Sequence, residues 1–372
     1  MNQKVKNEST KVLHVITTIE RGGAENQLLV LAREQVVNGW DVNIIFLKGK
    51  PELAEEFAKI GVEVIFDLVN INPLFQLWRM RKFLRNEYPI IHAHLPRSEL
   101  IARLAIWDHT FFVTRHNQEA FFKQIPNRAS RVLSRFVTAR ARKVIAISRS
   151  VQQFLIRERE VEDETRIEIV PYGFKRRNRS NLQEIKSVES RPRIGTIARL
   201  DKQKDLVTLI MAFNLVMSKF PLATLDIVGD GPERKKLFKL VHKLGIQSQV
   251  NFMGKIDDVY PFLSRLDTFV LTSKYEGFGM VLLEAIDAGA PVIASNTASI
   301  PEVLGDSFAG LCKVGDASDF ATKIMKSFAL DFRTILLSTQ SRRLSQFDPD
   351  KMWMRLESLY RYPSEPLNCK PE

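Results

Sequence analysis

Short apolar runs alternate with longer stretches of helical periodicity along most of this chain. Residues 11–17 (KVLHVIT) form one such run, a loop with two glycines follows, and residues 28–39 (LLVLAREQVVNG) carry apolar side chains at helical spacing. The run predicts a buried strand, and the spacing after it predicts an amphipathic helix. Because strand, loop and helix recur in this order, we expect parallel sheets covered by helices on both faces.

The alternation is interrupted by residues 175–191 (KRRNRSNLQEIKSVESR), which are polar and read as a linker. A chain of 372 residues is also too long for one ordinary hydrophobic core. We therefore predict two doubly wound, Rossmann-like α/β domains, residues 1–178 and 179–348, that face each other across a cleft. A last amphipathic stretch, 349–362, is expected to bury its apolar stripe on the first domain.

Net charge narrows the choice of partner. The formal charge is +12 at pH 7, which favours an acidic partner such as nucleotide phosphates, anionic lipid or nucleic acid. Cys312 and Cys369 lack metal-binding spacing and are interpreted as incidental thiols in a reducing compartment. The first ten residues show no signal-peptide core, and no run reaches the ~18 apolar residues of a membrane span. We expect a cytoplasmic protein.

Paired glycines follow the first predicted strand, in Arg21-Gly22-Gly23-Ala24-Glu25. Glycine lets a ligand approach the backbone, and the N-terminus of the next helix favours an anion. Gly-Gly turns are also common structural features, and the segment does not match the dinucleotide fingerprint G-x-G-x-x-G. Gly23 is a candidate ligand contact on these grounds.

Two further motifs follow strands of the second half. Arg199 and Lys204, in IARLDKQKD, suit a diphosphate, because an arginine fork and a lysine point charge both bind phosphate oxygens. A solvated basic loop has the same composition. Gly229 belongs to the turn Gly229-Asp230-Gly231-Pro232, where the proline fits the first turn of the next helix. A structural role alone is enough to explain that turn.

Residues 276–284 (EGFGMVLLE) place two carboxylates at the ends of an apolar run. A buried carboxylate without a partner is costly, so each of them needs one. Gly277 and Gly279 bring backbone amides to the start of a helix, which favours phosphate. Glu276 and Glu284 with amides between them suit a ligand that has hydroxyls at both ends and a phosphate in the middle. A nucleotide sugar has this layout.

Together these segments resemble glycosyltransferase family 4, a family of retaining enzymes with the GT-B fold. The resemblance covers nearly the full length and rests on GGAENQLLVLA, ARLDKQKD, VGDGPER and EGFGMVLLEAIDAGAPVIAS, with its E-x7-E spacing. It implies a nucleotide-diphosphate sugar as donor, with Arg199 and Lys204 on the diphosphate. Glu284 is implied at the ribose hydroxyls and Glu276 at the transferred sugar. The other implied donor contacts are Gly23, Gly229, Phe278, Gly279, Met280, Val281 and the backbone of Lys255 and Ile256 at the nucleobase.

Three histidines follow or end strands of the first half. By the resemblance His116, in VTRHN, matches the family's cleft histidine near the reacting centre, so Glu276 and His116 are the candidate catalytic residues. His92 and His94 fit either a cleft wall or hydrogen-bonded core histidines. The segment 171–175 (PYGFK) departs from the Pro-Asn-Gly-Val-Asp turn common in the family, which could change turn geometry or acceptor contacts.

No convincing DxD motif lies in a cleft loop, so we expect neither a metal nor a cofactor. Arg199 and Lys204 would take the place of a metal by neutralising the leaving nucleotide diphosphate. The resemblance then implies a same-face displacement, in which the leaving phosphate oxygen takes the proton of the acceptor.

Basic residues are concentrated between Ala120 and Arg157, a segment that contains no Asp or Glu. Aromatic and aliphatic side chains are interleaved with them, a pattern that favours contact with an anionic membrane surface. The alternative is a core helix with a basic outer face. Nucleic-acid binding is not expected, because no recognition motif is present. The basic residues are Lys123, Arg128, Arg131, Arg135, Arg140, Arg142, Lys143, Arg149 and Arg157.

The sequence thus predicts a retaining glycosyltransferase at the inner face of the cell membrane. It would move a hexosyl unit from a nucleotide-diphosphate sugar to a glycan or lipid-linked acceptor in surface polysaccharide or glycolipid synthesis. A nucleotide-sugar epimerase or hydrolase of the same fold, and an inactive nucleotide-sugar-binding module, stay open as alternatives.

Overall fold

The computed structural model describes residues 10–84, 88–122, 124–177 and 191–361. These residues form two compact units: one contains the described residues up to Lys175 and those from Phe347 onward, and the other runs from Arg176 to Gln346. Each unit contains one parallel sheet, so the prediction of two doubly wound α/β domains is confirmed. Most of the predicted linker, together with Lys123 and Cys369, lies outside the described residues.

The first unit has seven parallel strands in the order β3-β2-β1-β4-β5-β6-β7. The strands are β1 Lys11–Ile16, β2 Asp41–Phe46, β3 Glu63–Ile65, β4 Ile90–His94, β5 Thr110–Arg115, β6 Lys143–Ala146 and β7 Ile167–Ile169. The helices are α1 Gly23–Val37, α2 Ala54–Lys59, α3 Pro73–Phe83, α4 Pro96–Ala105, α5 Asn127–Thr138, α6 Arg149–Arg157 and the C-terminal helix α14 Pro349–Arg361, with a 3₁₀ turn at Glu164–Arg166. The direction of strand addition reverses between β1 and β4, which is the switch point where such sheets bind ligands.

The apolar runs of the sequence form the centre of this first sheet. All residues of β1 after Lys11 are buried, because both faces of the strand are covered. Helix α14 buries its apolar stripe in the same core, where the Trp353 ring meets Trp40 edge to face at 5.2 Å. Burial of these aromatic rings stabilises the packing of α14 against the first strands of the sheet.

The second unit has six parallel strands in the order β10-β9-β8-β11-β12-β13. Its strands are β8 Arg193–Ile197, β9 Thr224–Val228, β10 Val250–Gly254, β11 Thr268–Leu271, β12 Val292–Ser295 and β13 Leu311–Cys312. Its helices are α7 Leu206–Met217, α8 Arg234–Lys243, α9 Tyr260–Leu263, α10 Met280–Asp287, α11 Ile300–Leu304, α12 Ala317–Lys326 and α13 Leu330–Ser341, and a 3₁₀ turn at Leu344–Phe347 follows. Here the switch point lies between β8 and β11.

None of the helices described is both long enough and apolar enough to cross a membrane.

Candidate active site

The loops that follow β8 and β11 meet at the switch point of the second sheet. Arg199 and Lys204 belong to the first of these loops, and Glu276 belongs to the second. Open α/β sheets bind ligands at the carboxyl ends of the strands beside such a point. The structure therefore brings together the two motifs that the sequence analysis had identified separately.

Hydrogen bonds fasten these two loops to each other. The Lys274 amide donates to the Gln203 carbonyl at 2.8 Å, and the Gln203 side-chain amide donates to the Tyr275 carbonyl at 2.9 Å. The Thr272 hydroxyl donates to the Lys204 carbonyl at 2.9 Å. Within the first loop, Asp201 Oδ1 accepts from the backbone amides of Gln203 and Lys204. These bonds fix the backbone from which Lys204 and Glu276 extend.

Lys204 and Glu276 form an ion pair. The Lys204 ammonium donates to Glu276 Oε1, and the Ser273 hydroxyl donates to the same oxygen at 2.7 Å. Glu276 is only 6% exposed and the Lys204 side chain only 18%, so each charge depends on the other in a poorly solvated place. The partner of the buried carboxylate is thus a residue of the adjacent loop, which the E-x7-E spacing alone did not indicate.

Arg199 is in a different environment from Lys204. Its side chain is 72% exposed, and its nearest ion-pair contact is from Nε to Asp201 Oδ2 at 3.7 Å. An exposed pair at this distance contributes little to stability. Turning the guanidinium toward an anion at the same switch point therefore costs little free energy.

Helix α10 begins directly after the second loop. Gly279 caps it in the left-handed region, with φ of 86°, a conformation that favours glycine. Phe278 is buried, and Met280 and Val281 are half-buried. Glu284 lies four residues after the start of α10, just over one turn into the helix. Glu284 as a whole residue is half-buried.

Burial raises the pKa of Glu284, and the positive charge of Arg177 opposes that shift. The Arg177 guanidinium stacks over the Tyr260 ring at 3.8 Å and pairs with Asp258 at 3.0 Å. The Arg177 backbone amide and the Tyr260 hydroxyl both donate to Asp287 Oδ2, at 2.9 and 3.1 Å. Arg177 falls within the predicted linker, because nothing in the local sequence indicates carboxylate partners 81 and 110 residues away.

Gly229 has a structural explanation in this fold. Its φ is 123°, and a Cβ atom there would lie 2.0 Å from the Ala198 carbonyl oxygen. Its amide donates to the Gly254 carbonyl at 2.7 Å, so the amide is engaged by the protein rather than offered to a ligand. Lys255 and Ile256 follow Gly254 in the chain. Lys255 is exposed and Ile256 is half-buried.

Gly23 lies in the first unit, as the first residue of α1 after the N-cap Gly22. It is exposed, and a Cβ atom there would meet nothing within 4 Å, so the space above its backbone is open. Two residues on, Glu25 accepts from the Thr18 hydroxyl at 2.6 Å, and burial raises the pKa of Glu25.

His116 follows β5 and is held through both of its ring nitrogens. Nδ1 bonds with the Tyr172 hydroxyl at 2.5 Å, and Nε2 bonds with His94 Nδ1 at 3.3 Å. Burial, together with the charge of Arg115, lowers the pKa of His116 to about 3. The ring is therefore neutral at physiological pH. Tyr172, which occupies the departure from the family turn, is a contact that sequence reasoning missed.

His92 and His94 are buried members of the core, not exposed rim residues. His92 bonds with the Tyr360 hydroxyl at 2.6 Å and the Thr114 hydroxyl at 2.7 Å. His94 bonds with His14 at 3.0 Å as well as with His116. The hydrogen-bonded core interpretation of these two histidines is therefore the one that the structure supports.

In the part of the chain that the structure describes, the ring nitrogens of His14, His92 and His94 form one group with metal-binding spacing, within 4.8 Å of one another. All three rings already bond to side chains of the same unit. The group lies in the other unit from Arg199 and Glu276. The expectation of a metal-independent donor site stays a prediction.

Acidic side chains from a later segment neutralise part of the basic stretch 120–157. Arg131 pairs with Glu158 at 3.6 Å, and Arg135 pairs with Glu162 at 3.4 Å. Lys143 pairs with Glu168 at 2.7 Å. The stretch itself contains no carboxylates, but the fold brings carboxylates from residues 158–168 next to it. Its local positive charge is therefore lower than the sequence of the stretch alone indicates.

Comparison with known proteins gives two family matches in succession. The model described as "Glycosyltransferase Family 4" matches residues 21–176, and the model described as "Glycosyl transferases group 1" matches residues 178–333. Together they cover the strands, loops and helices that hold every candidate site residue.

Two curated relatives match parts of the chain. N-acetyl-alpha-D-glucosaminyl L-malate synthase of Bacillus anthracis is 34% identical over 191 residues, 50% of each chain. Lipopolysaccharide core biosynthesis glycosyltransferase LpsE of Rhizobium meliloti (strain 1021) is 36% identical over 134 residues, 36% of this chain and 38% of that protein. The chain thus matches half or less of the length of these relatives.

The crystal structure of Anabaena HepE in complex with UDP-glucose matches with a TM-score of 0.78 and 19% identity, over 94% of this chain and 99% of that one. At this identity the likeness shows a shared fold. The two successive family matches, over residues 21–176 and 178–333, identify the chain as a member of glycosyltransferase family 4, and the two parallel sheets and the likeness to HepE show its GT-B fold.

Proposed function

We propose that this protein is a retaining glycosyltransferase that moves a hexosyl unit from a nucleotide-diphosphate sugar to a glycan or lipid-linked acceptor in cell-surface polysaccharide or glycolipid synthesis. The observation that carries the proposal is the Lys204–Glu276 ion pair beside the exposed Arg199 at the switch point of the second sheet. The names of the two curated relatives support a sugar-transfer reaction, and HepE binds a nucleotide sugar on the same fold.

The second unit supplies the donor contacts in this proposal. A diphosphate competes with Glu276 for the Lys204 ammonium, and Arg199 can add its guanidinium fork to the same group. When Lys204 engages the phosphate, Glu276 becomes able to accept hydroxyls of the transferred sugar. Glu284, raised in pKa by burial, gains ribose hydroxyls as hydrogen-bond partners, which favours its charged form.

The reaction is a same-face displacement at the anomeric carbon. The bond from that carbon to the leaving diphosphate oxygen breaks, and a bond to the acceptor oxygen forms on the same face. The acceptor proton passes to the leaving phosphate oxygen. Arg199 and Lys204 stabilise the negative charge on the diphosphate, and Glu276 stabilises positive charge on the sugar.

Acceptor binding is assigned to the first unit. We also place the protein at the inner, cytoplasmic face of the cell membrane. An exposed aromatic–basic surface supports the membrane contact, and it consists of Leu74, Phe75, Trp78, Arg81, Lys82 and Trp107. Trp78 is 61% and Trp107 73% exposed, and both line a cavity of about 790 Å³ with Arg81 and Lys82. Exposed tryptophans next to cations are typical of proteins that bind membrane interfaces.

The activity is tested by incubating the purified protein with UDP-, GDP- and ADP-sugars, with and without a bacterial lipid extract as acceptor. We expect one donor to be consumed with formation of a glycosylated product of retained anomeric configuration. Consumption without any acceptor, with free sugar or an epimerised donor as product, would favour the hydrolase or epimerase. Saturable donor binding without turnover in any extract would favour a binding module.

The membrane contact is tested by sedimentation with phosphatidylglycerol-containing vesicles. The pair Trp78→Glu and Trp107→Glu should release the protein, because it places two carboxylates on the aromatic–basic surface. Met354→Glu is the matched control, since Met354 is 60% exposed on α14 of the same unit and lies outside that surface. Equal sedimentation of the double variant and wild type would reject this surface as the membrane contact.

A further inference from the structure

Five side chains form a hydrogen-bonded line from the carboxyl end of the first sheet into its interior. The Tyr172 hydroxyl bonds with His116 Nδ1 at 2.5 Å, and His116 Nε2 bonds with His94 Nδ1 at 3.3 Å. His94 Nε2 bonds with His14 Nδ1 at 3.0 Å, and His14 Nε2 bonds with Gln35 Oε1 at 2.8 Å. Both ring nitrogens of each of the three histidines are therefore engaged.

The chemistry of the groups sets the direction of every bond in the line. Burial lowers the pKa of His14 to about 4, that of His94 well below its ordinary value and that of His116 to about 3. Each ring is therefore neutral at physiological pH and carries one N–H. Gln35 Oε1 can only accept, so the proton of His14 is on Nε2 and its Nδ1 is an acceptor.

The directions of the remaining bonds follow from that of His14, one ring at a time. His94 must donate from Nε2 to His14, which leaves His94 Nδ1 as an acceptor. His116 must donate from Nε2 to His94, which leaves His116 Nδ1 as an acceptor. Tyr172 is then the donor to His116, and a single tautomer of each ring satisfies all four bonds.

We propose that Tyr172 is a positioning residue for His116: its hydroxyl closes the line, fixing His116 as the neutral Nε2–H tautomer in one ring orientation at the carboxyl end of β5. The part of this proposal that concerns catalysis rests on the proposed glycosyltransferase function. The fixed ring provides a defined wall and local dipole for the reacting sugars. It does not take the acceptor proton, because neither nitrogen is available without breaking the line.

A metal ion is the competing use of the same histidines. The 3.0 Å bond between His14 Nδ1 and His94 Nε2 occupies two of the nitrogens that an ion bound by His14, His92 and His94 would need. Neutral imidazole is also the form that binds metals, so the protonation state does not separate the two uses. The position of the proton within each ring does separate them.

The tautomers can be read from ¹⁵N–¹H correlation spectra of protein labelled at histidine. The chain has only six histidines, and the His116 signals are the ones missing from His116→Gln. In wild type we expect Nε2 of His116 to carry the proton and Nδ1 to accept a hydrogen bond. A His116 ring with its proton on Nδ1, or charged at pH 7, would overturn the proposal without any variant being made.

Tyr172→Phe removes the closing hydroxyl, and Tyr360→Phe is its matched control. The Tyr360 hydroxyl also bonds with a histidine Nδ1, that of His92 at 2.6 Å, and it is buried in the same unit. We expect Tyr172→Phe to shift the His116 nitrogen signals toward a mixture of tautomers. Tyr360→Phe, which removes a hydroxyl next to His92 and Gln35, should leave the His116 signals in place. Unchanged His116 signals in Tyr172→Phe would show that Tyr172 does not set the tautomer.

In transfer assays Tyr172→Phe should lower kcat roughly tenfold with the donor KM nearly unchanged, since misplacing a group next to the reacting centre affects the transition state more than donor binding. Tyr360→Phe should retain wild-type kcat at a similar loss of thermal stability. Equal kcat values for the two variants would overturn the role of Tyr172 in the reaction.

Two further outcomes distinguish this proposal from the proposed glycosyltransferase function and from a metal site. If wild type transfers no sugar at all, the proposed function fails and the catalytic part of this proposal fails with it, while the spectra still decide the tautomer. Titration of wild type with Zn²⁺ should leave the signals of His14 and His94 in place. Stoichiometric binding that moves both sets would show a metal site instead of the hydrogen-bonded line.

Discussion

Lys204 and Glu276, which are 72 residues apart in the chain, are hydrogen-bonded to each other at the switch point of the second sheet. One is a candidate for binding the donor diphosphate and the other for binding the transferred sugar. Because the ammonium group is already bound to the carboxylate, a phosphate has to compete with Glu276 for Lys204. Donor binding and release of Glu276 are therefore expected to be coupled.

This competition predicts opposite effects for two single substitutions on nucleotide affinity. Lys204→Ala removes a charge-assisted bond worth ~1.5–3 kcal/mol, so the Kd for the nucleoside diphosphate should rise about ten- to hundredfold. Glu276→Gln removes the competitor and should leave that Kd unchanged or lower it. Calorimetric titration measures both, and a Kd raised as much by Glu276→Gln as by Lys204→Ala would contradict the coupling.

Arg199→Ala should weaken both binding of the nucleoside diphosphate and turnover, because its exposed guanidinium is free to turn toward the phosphates without breaking a strong ion pair. We expect a loss of about ten- to hundredfold in kcat/KM, as for other charge-assisted bonds. Arg265→Ala is the control, since Arg265 is exposed and precedes the amino end of β11, whereas Arg199 and Glu276 follow the carboxyl ends of β8 and β11. Calorimetric titration of wild type and both variants with the nucleoside diphosphate tests this prediction. If Arg199→Ala binds the nucleoside diphosphate as tightly as wild type does, Arg199 is excluded from the site.

Transfer is expected to continue in the presence of EDTA. Arg199 and Lys204 bring two positive charges to one loop, enough to balance much of the charge on a leaving diphosphate. Initial rates measured before and after chelation, with Mn²⁺ and Mg²⁺ added back, test this expectation. Loss of all transfer that either ion restores would mean that the two side chains do not replace a metal.

Glu276 and Glu284 should differ in the kinetic constant that each controls. Glu284 is assigned to the ribose, which does not change during the reaction, so Glu284→Gln should mainly raise the donor KM. Glu276 is assigned to the sugar that gains positive charge, so Glu276→Gln should lower kcat by roughly 10²-fold, or ~2.7 kcal/mol. Steady-state kinetics with varied donor would refute this division if both variants changed the same constant.

A buried cluster in the first unit predicts a pH-dependent stability. Arg115 Nε lies 3.0 Å from Glu99, and its Nη1 lies 3.0 Å from Glu160. Burial raises the pKa of Glu99 to about 7, against the attraction of Arg115. The folded protein therefore binds this proton more tightly than the unfolded chain does, and the stabilisation is present at low pH and is lost as the pH rises through about 7.

Glu99→Gln imitates the protonated carboxyl at every pH. Relative to wild type, the variant should gain unfolding free energy between pH 5 and pH 8, by up to about 1.4 kcal/mol per unit of pKa shift. Urea unfolding followed by tryptophan fluorescence suits the measurement, because all four tryptophans belong to the first unit. Taking the difference between variant and wild type also removes the contribution of the buried histidines. Their lowered pKa values have the opposite effect, because they reduce the stability of the protein as the pH falls. A difference that stays flat over this range would refute the raised pKa.

Local pattern was sufficient to predict the strands, the helices and the loops that hold the candidate site residues. Apolar runs such as 11–17 form buried strands in any parallel sheet, because they must be covered on both faces. The positions of Arg199, Lys204, Glu276 and Glu284 relative to strand ends are equally local. For this reason the two-domain α/β fold could be predicted from the amino-acid sequence, and these four residues could be proposed as donor contacts.

The partners of these residues were decided by the tertiary structure. Apolar periodicity is the same for every strand order, so it does not reveal that β8 lies beside β11 and that Lys204 therefore meets Glu276. It equally could not place Tyr172 on His116, 56 residues away, or Arg177 on Asp258, 81 residues away. Hydrogen bonds and ion pairs act over about 3 Å, and only the order of strands in the folded sheet brings such distant residues within that range.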